Sequence, residues 1–197
     1  MTGVQTCALP ISMPKLSVLV TVDSALVEEL LNGVSLHQLA LGEAITFSKA
    51  NNGEVIEVNR SELLERIKTL DSQSDSDVIV IHDALRPLVS AAQFQRTFDA
   101  LGDLDAIRPT MAFTETIKSL DSEHRLNETI DREKVRRISS PEVIKRGAID
   151  FGGRATTWSV PLKAGSKFGE VQADPESIRI NSTEELQLIS AFMQLRK

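Results

Sequence analysis

A short polar stretch behind an apolar strand holds the residues best suited to chemistry. It reads His82-Asp-Ala-Leu-Arg-Pro87 and follows the apolar run at residues 78–81. An aspartate at the end of a buried strand can orient a ligand hydroxyl, an amine or a metal-bound water. An arginine three residues later can bind phosphate through two N–H groups. The same spacing also fits a strand-ending turn with a salt bridge, so the pattern alone leaves both interpretations open.

Alternating strand and helix patterns surround this stretch. Continuous apolar runs, which are typical of strands buried on both faces, occur at 16–22 and 78–82. Weaker strand candidates are a two-part segment at 44–47 and 54–58, divided by the turn 51–53, and short runs at 106–107, 158–160 and 177–180.

Caps and apolar periodicity predict five helices. The first begins at Asp23 or Ser24 and has Leu26, Val27, Leu30 and Leu31 on one face, and the second begins at Ser61. The third begins at Ser90 and the fifth at Ser182, where Gln93 and Glu185 complete the capping boxes. The fourth begins at Ser140, with Pro141 in its first turn.

A protruding hairpin interrupts this alternation, because residues 114–120 and 125–130 flank the turn-rich stretch 121–124. Strands that alternate with helices imply an α/β fold with three layers, in which a mostly parallel sheet is covered on both faces. Ligands of such folds bind beyond the carboxyl ends of the strands. Asp83 and Arg86 are therefore predicted to lie at the ligand edge of the sheet.

The composition excludes several classes of protein. Of the 197 residues, 41% are hydrophobic and 25% are charged, which is ordinary for a soluble globular protein. A formal net charge of −6 argues against non-specific nucleic-acid binding, and the apolar runs are too short to span a bilayer. The one cysteine, Cys7, permits no intramolecular disulfide, and the three histidines lack metal-ligand spacing. A cytoplasmic protein without a cysteine- or histidine-based metal site is expected.

Residues 1–12 are set apart from the rest of the chain. They lack the charged region of a signal peptide, and their apolar stretch is short. We interpret them as translated sequencing adapter, with the native part beginning near Met13. Residues 13–197 are then expected to form one domain with a hairpin arm at about 114–132.

Four motifs resemble, in the same order, those of the 2-C-methyl-D-erythritol 4-phosphate cytidylyltransferase family. The family has His-Asp-Ala-Ala-Arg-Pro followed by Leu-Val, and residues 82–89 here read His-Asp-Ala-Leu-Arg-Pro-Leu-Val. Its later motifs are Thr-x-Lys with an arm ending near Val-Asp-Arg, then Thr-Pro-Gln, then Asn-Ile-Lys-Val-Thr-x-Pro-Glu-Asp-Leu. The matching stretches here lie at 116–118 with 129–132, at 140–142 and at 177–186.

The resemblance implies a Rossmann-like nucleotidyltransferase fold and a reaction. The family joins CTP to 2-C-methyl-D-erythritol 4-phosphate, releases pyrophosphate, and so serves isoprenoid precursor synthesis by the non-mevalonate pathway. The attacking phosphate oxygen is already anionic, so alignment and cationic groups matter more than a catalytic base. Mg²⁺ carried with CTP, and a homodimer formed through the hairpin arm, are implied as cofactor and assembly.

The resemblance also assigns roles to individual residues. It implies that the nucleotide and metal region is lined by Asp83 and Ala84. The sugar phosphate would be held by Arg86, Thr116 and Arg132, with Arg132 donated across the dimer, and Ser140 would add a hydroxyl there. Arg179 takes the place of the family's late lysine, which supports the phosphates. Arg132 and Arg179 are the candidate catalytic residues. Each has a plainer reading: a strand residue for Thr116, a helix cap for Ser140, a solvated arm charge for Arg132 and a sheet-edge charge for Arg179. The basic run 132–137 is interpreted as a solvated face.

Three departures from the family concern the nucleotide. The glycine-rich loop Pro-Ala-Ala-Gly-x-Gly-x-Arg is not found after the first strand, and two explanations stay open. Either residues 16–31 correspond to the family's second strand and helix in a fragment, or the loop is lost and residues 33–40 match the segment behind it. In the base-recognition segment only Arg60 remains, and the family's Thr-Asp-Asp-Ala carboxylates are missing near 156–159.

The sequence therefore supports one leading function and two alternatives. The first is a divergent cytidylyltransferase that is truncated or impaired as given, with little or no activity expected. The second is a non-catalytic homologue that binds a sugar phosphate or a partner protein. A different nucleotide-sugar pyrophosphorylase fits less well, because residues 116–132 match the methylerythritol group better.

Overall fold

A computed structural model of the chain describes residues 15–22, 25–70, 77–154 and 160–195. The strands that form the large sheet are β1 (Leu16–Val22), β4 (Glu54–Asn59), β5 (Val78–Asp83), β6 (Ala106–Met111), β9 (Arg137–Ile138), β10 (Glu142–Lys145) and β11 (Phe168–Gln172). Two hairpins lie outside it, β2 (Leu30–Leu31) with β3 (Val34–Ser35) and β7 (Ile117–Leu120) with β8 (Leu126–Ile130). The helices are α1 (Leu36–Ala50), α2 (Leu63–Thr69), α3 (Ala91–Asp99) and α4 (Thr183–Leu195).

The large sheet is mixed but mostly parallel, which confirms the predicted α/β class. Its strand order is β11-β6-β10-β5-β1-β4, and β9 pairs with β6. β1 is parallel to both β4 and β5, and β11 is parallel to β6. β10 runs antiparallel between β5 and β6. The carboxyl ends of β1, β4 and β5 therefore meet at one edge, where Thr21 is opposite Asp83.

Alternating side chains of the central strands enter two separate cores. Val18, Val20 and Val80 pack under α1, α3 and α4, together with Phe47 and Phe94. Leu19, Ile79 and Ile81 pack on the other face with side chains from α2 and with Ile144, Ala148, Ile149 and Val160. Burial on both faces explains why β1 and β5 read as continuous apolar runs.

The region from 25 to 50 differs from its prediction. The helix expected to present Leu26, Val27, Leu30 and Leu31 on one face is wrong, since only residues 25–28 form a 3-10 turn and β2 and β3 follow. Asn32 and Gly33 take positive φ angles of 54° and 82°, as a tight hairpin turn requires. The strand expected at 44–47 is also wrong, because these residues belong to α1. The proposed caps Asp23 and Ser24 lie outside the described residues.

The carboxyl-terminal third holds the remaining corrections. The helix predicted to start at Ser140 is wrong: Ser140–Pro141 is a cis peptide, and β10 follows with Val143 and Ile144 fully buried. β-branched side chains that pack on both faces of the sheet favour a strand there. No strand forms at 177–180; it lies instead at β11, which the sequence analysis missed. Val160 is outside any strand, and Trp158 lies outside the described residues.

Other predicted elements are confirmed. Helices follow Ser90 and Ser182, α2 lies within 61–70, and strands form at 54–58 and 106–107. The predicted arm is present as the β7–β8 hairpin, whose strands pair with each other and expose Leu120, Leu126 and Ile130. None of the helices in the described ranges combines the length and apolar character that a membrane crossing requires. The assignment of 1–12 to adapter stays a prediction, because those residues are outside the described ranges.

Candidate phosphate-binding site

The turn after β5 is fixed by its own backbone and by β1. Asp83 Oδ1 accepts the N–H of Leu85 at 3.1 Å, and Asp83 O accepts the N–H of Arg86 at 2.9 Å. Ala84 is fully buried and donates its N–H to Thr21 O at 3.2 Å. The Asp83 carboxylate is thus held at the carboxyl edge of the sheet, as its position after an apolar strand predicts.

Asp83 forms an ion pair with Arg179. Arg179 Nε lies 2.8 Å from Asp83 Oδ2, and Arg60 Nη2 lies 3.9 Å from the same oxygen. Burial alone raises the pKa of Asp83, but the charges of Arg179 and Arg60 and the Leu85 N–H outweigh it and hold the pKa below its ordinary value. Asp83 is therefore ionised at neutral pH, and the salt bridge expected within the turn is made to Arg179 instead of Arg86.

Ser140 lies inside the site without capping a helix. Its Oγ accepts the N–H of Asp83 at 3.1 Å and lies 2.8 Å from His82 Nδ1. The imidazole of His82 is fully buried and packs against the ring of Phe94, with the centroids 4.8 Å apart. Ser140 thus orients the turn that carries Asp83, and the residue is buried, with a relative exposure of 4%.

The buried imidazole predicts a loss of stability in mild acid. Burial lowers the pKa of His82 from 6.5 to about 4, with the charge of Asp83 opposing and that of Arg86 assisting. The unfolded chain then binds this proton at a higher pH than the folded chain does. Stability is therefore fully present above about pH 6.5 and lost as the pH falls towards 4, by about 3 kcal/mol in total.

Urea unfolding between pH 7 and pH 4 measures this effect. The variant His82→Gln removes the titrating group, so its free energy of unfolding should vary much less over that interval. Titration of Asp83 does not contribute to this decline, because its pKa is lowered in the folded state. The stability that Asp83 provides is therefore lost only at more acidic pH. An equally steep decline in the variant would assign the effect to other groups.

Arg86 is held by two loops. Its Nη1 donates to Ser177 O at 2.7 Å, and its Nη2 donates to Ile138 O at 2.9 Å. Ser139 Oγ donates to Ser177 O at 3.1 Å and so ties the same two loops together. Burial lowers the pKa of Arg86 to about 10, with Asp83 opposing and the charges of Arg179, Arg108 and Arg137 adding to the decrease. The guanidinium is charged at neutral pH, and its orientation is fixed.

Gln93 supports both loops from α3, a role that the sequence analysis missed. Ser90 Oγ accepts the Gln93 N–H, as the predicted cap requires, but the Gln93 side chain does not complete a capping box. Its Nε2 donates to Ser140 O at 2.6 Å, and its Oε1 accepts the N–H of Asp174 at 2.5 Å. A fully buried carboxamide therefore joins the Ser140 loop to the loop that carries Ser177.

An open cavity of about 620 Å³ lies beside these loops. We call it the arginine cavity, because four arginines line it: Arg86, Arg136, Arg137 and Arg179. The other lining residues are Met111, Ile138, Ile178, Asn181, Glu185, Leu188 and Ile189. Guanidinium groups present paired N–H donors to phosphate oxygens, so this surface is suited to a phosphate-bearing ligand with an apolar portion.

The structure brings together some of the predicted site residues and separates others. Arg86 and Arg179 line the arginine cavity. Asp83 accepts a hydrogen bond from Arg179, and Ser140 accepts the backbone N–H of Asp83. Thr116 and Arg132 lie on the exposed arm. Arg132 Nη1 donates to Thr114 O at 2.8 Å, and neither residue lines the cavity of its own chain.

Arg60, Arg136 and Arg137 belong to this region although the sequence analysis did not select them. Arg60 is the remnant of a family motif, and its place after β4 is the available signal. Arg136 and Arg137 belong to the basic run that the sequence predicts to be a solvated face. Both are exposed, but they also line the cavity, because β9 returns along β6 with Arg137 opposite Met111. Pairing of this short strand could not be read from the sequence.

Solved structures of similar fold come from the enzyme family named by the resemblance. The 4-diphosphocytidyl-2C-methyl-D-erythritol synthase of Anaerococcus prevotii aligns with a TM-score of 0.73 and 17% identity over 92% of this chain and 99% of that one. The 2-C-methyl-D-erythritol 4-phosphate cytidylyltransferase of Thermus thermophilus aligns with a TM-score of 0.69 and 16% identity over 90% and 98%. At such identities the comparison establishes the fold.

Curated relatives match over a shorter stretch. A bifunctional enzyme IspD/IspF of Nitrobacter winogradskyi is 41% identical over 66 residues, which is 34% of this chain and 17% of that protein. The counterpart in Rhizorhabdus wittichii is 32% identical over 81 residues, 41% of this chain and 21% of that protein. The matched part thus spans about a fifth of the length of these relatives.

A family model provides the decisive comparison. The model described as IspD, 2-C-methyl-D-erythritol 4-phosphate cytidylyltransferase, matches residues 23–157, which is more than half of the chain. The match includes β4, β5, β6, the arm and β10, and therefore the turn with Asp83 and Arg86. The chain belongs to the IspD family of cytidylyltransferases.

Proposed function

We propose that this chain is an IspD-type nucleotidyltransferase that takes CTP and 2-C-methyl-D-erythritol 4-phosphate, with the phosphate ester bound in the arginine cavity. One observation carries the proposal: Arg86 and Arg179 face a common cavity beside the Asp83 turn, at the carboxyl edge of the sheet. This is the edge at which folds of this kind bind their ligands.

The reaction needs positioned charge more than proton transfer. An oxygen of the ester phosphate forms a bond to the α-phosphorus of CTP, the bond from that phosphorus to the β-phosphate oxygen breaks, and pyrophosphate leaves with the electron pair. The attacking oxygen is anionic at neutral pH, so the site has to align two anions and to offset their charge. Arg86 and Arg179 do this for the ester phosphate, and Ser140 and Gln93 hold the loops that position Arg86.

Mg²⁺ is the cofactor that this function implies. Among the described residues, no group of three or more histidine, cysteine, aspartate or glutamate side chains is arranged to hold a metal ion. A Mg²⁺ that arrives with a nucleotide needs only one or two protein carboxylates, so the single carboxylate of Asp83 would be enough. When bound, the ion neutralises charge on the triphosphate. Asp83 can provide an oxygen once Arg179 turns from it towards the substrate phosphates.

The residues available to bind the nucleotide lead us to expect weak activity. No glycine-rich loop follows β1 in the sequence, and the 156–159 region with its missing carboxylates lies outside the described residues. Arg60, the remnant of the base-recognition segment, points to Thr21 and Asp83, with Nη2 3.4 Å from Thr21 Oγ1. Each lost transition-state contact of a few kcal/mol lowers the rate by about 100-fold or more.

A pyrophosphate-release assay tests this function. With CTP, Mg²⁺ and 2-C-methyl-D-erythritol 4-phosphate, we expect a rate many orders of magnitude below that of the Thermus thermophilus enzyme measured in parallel. Any residual release should depend on Arg86, with Arg125→Met at the arm tip as the control. Turnover comparable to the Thermus enzyme would overturn the expected impairment.

A non-catalytic homologue that binds a sugar phosphate is the second candidate. It is favoured by an imbalance between the two proposed halves of the site. Four arginines line the cavity proposed for the phosphate ester, whereas the described residues on the nucleotide side offer little beyond Asp83 and Arg60. Calorimetric binding of the methylerythritol phosphate without any pyrophosphate release from CTP would select this candidate.

The hairpin arm is proposed to form a homodimer. Leu120, Leu126 and Ile130 expose apolar surface on β7 and β8 that a second copy can cover. Arg132 of that copy would then act on the charge of the transition state. Deleting residues 114–132 is expected to convert a dimer into a monomer by light scattering, and Leu126→Glu should weaken the dimer with the arm intact. A deletion variant that remains dimeric would rule the arm out.

A further inference from the structure

Helix α4 carries apolar side chains on its outer face as well as on the face that packs into the protein. Leu186 and Ile189 are 5% and 6% exposed and belong to the core beneath α1 and α3. Leu188, Phe192 and Leu195 are 70%, 45% and 87% exposed. A helix that packs on a core with one face ordinarily presents polar side chains to solvent, and a contiguous exposed apolar patch marks an interaction surface.

The outer side chains form a continuous row. Glu184, Leu188 and Phe192 follow one another at intervals of four residues, so they lie along one side of α4, with Leu195 beside the end of the row. We call these four residues the α4 ridge. In the sequence the next member of the four-residue series is Arg196, directly after the described helix. Rows of this i, i+4 kind are the ridges that helices insert into one another's grooves.

An apolar groove of about 430 Å³ adjoins the α4 ridge. It lies between α4 and two loops, and besides the carboxylate of Glu176 its lining is apolar: Leu88, Pro175, Ile178, Leu188, Ile189 and Phe192. A surface that carries a ridge and a groove side by side can engage a second copy of itself about a two-fold axis, because each ridge then packs beside the groove of the other copy.

The charges at the two ends of α4 also match a second copy. If two α4 helices cross antiparallel about an axis near residue 190, Leu188 of one copy lies opposite Phe192 of the other, and Glu184 lies opposite Arg196. The acidic first turn of each helix is then close to the basic pair Arg196 and Lys197 of the other copy. Opposite charges at both ends therefore flank an apolar centre.

We propose that the α4 ridge is a self-association surface, through which two copies of this chain pair antiparallel, α4 against α4, separately from the hairpin arm. The inference does not rest on the proposed activity. One ridge and one groove per copy make a small interface, so we expect a Kd on the order of 100 µM. The contact is then mostly dissociated in dilute solution and does not obscure the arm dimer there. Where both contacts form, their two different two-fold axes link the copies into tetramers or longer arrays.

Sedimentation equilibrium of the full chain tests the proposal at about 10 µM and about 500 µM, on either side of the expected Kd. All samples carry Leu126→Glu, which weakens the arm contact. We expect the mean mass to rise between the two concentrations towards twice its dilute value.

Adding Leu188→Glu should weaken this association about 10-fold or more, because a carboxylate then enters the apolar centre of the contact. Gln187→Glu is the matched control, since it adds the same charge at an exposed position of the same helix outside the α4 ridge. Leu188 is 70% exposed, so both variants should unfold in urea at nearly the same concentration as their parent.

Exchanging the charges tests the antiparallel arrangement and the identity of the partner. Glu184→Arg and Arg196→Glu should each weaken the association about 5-fold at low ionic strength, where exposed ion pairs are least screened. The double variant restores opposite charges across the axis and should recover most of the loss. Only a contact between copies of this chain predicts that recovery.

Each other result would contradict the inference. A mean mass that does not rise with concentration, or that rises equally with Leu188→Glu and Gln187→Glu, shows that the α4 ridge is not a self-association surface. If the unmodified chain associates with concentration but Leu126→Glu alone abolishes the rise, the arm covers the ridge and α4 does not pair with α4. Failure of the charge exchange to recover association would overturn the antiparallel pairing.

Discussion

Replacing Arg86 with methionine is expected to lower the affinity for a phosphate monoester by about 100-fold or more. Arg86 is only 9% exposed, and its guanidinium is oriented by Ser177 O and Ile138 O. A prepositioned, largely desolvated charge of this kind makes stronger hydrogen bonds than an exposed one, so its loss is expected to be costly for binding.

The same substitution should change stability much less than binding. Removing Arg86 breaks two hydrogen bonds to carbonyls, but it also relieves the burial of a charge whose pKa is lowered to about 10. These two effects oppose each other. Urea unfolding beside calorimetric titration distinguishes them. A variant that binds phosphate normally would show that Arg86 is a structural residue, whereas a variant that is largely unfolded would show that its carbonyl contacts dominate.

Replacing Glu142 with glutamine is expected to destabilise the fold by about 3–5 kcal/mol. Glu142 on β10 contacts Arg108 on β6 through an ion pair, and their side chains are 1% and 11% exposed. Without the carboxylate, Arg108 becomes a buried charge with reduced compensation, and a buried charge left in this way is costly. Urea unfolding at pH 7 measures the change.

An exposed ion pair provides the matched control. Glu170 pairs with Arg136 and its side chain is 50% exposed, so Glu170→Gln should cost less than about 1 kcal/mol. The double variant Arg108→Met, Glu142→Leu should recover much of the loss, because it removes both buried charges. Equal effects of the two glutamine substitutions would contradict the difference in burial on which this prediction depends.

The strands of the sheet's centre could be predicted from the sequence because their burial is encoded locally. β1 and β5 are apolar at every position that enters either core, and their short length and β-branched side chains favour a strand over a buried helix. The position of Asp83 at the carboxyl end of β5 follows directly from these runs. A capping signal for α1 was also present, since Ser35 and Gln38 form a reciprocal capping box, but the strand interpretation of 44–47 obscured it.

The other parts of the fold and of the candidate site depend on contacts between segments that are distant in the sequence. Ser140 has the local signature of a helix cap, yet its hydroxyl is bound by the Asp83 N–H, 57 positions earlier in the sequence. Gln93 has the signature of a capping box, yet its side chain joins two loops. Arg137 reaches the cavity only because two-residue β9 pairs with β6. Such pairings are decided by tertiary packing, which overrides local propensity.

A crystal structure of the chain with 2-C-methyl-D-erythritol 4-phosphate tests the central claim most directly. We predict that the phosphate lies in the arginine cavity, within hydrogen-bond distance of the guanidinium groups of Arg86 and Arg179. A phosphate that is bound elsewhere, or one that contacts only Thr116 and Arg132 of the arm, would contradict it.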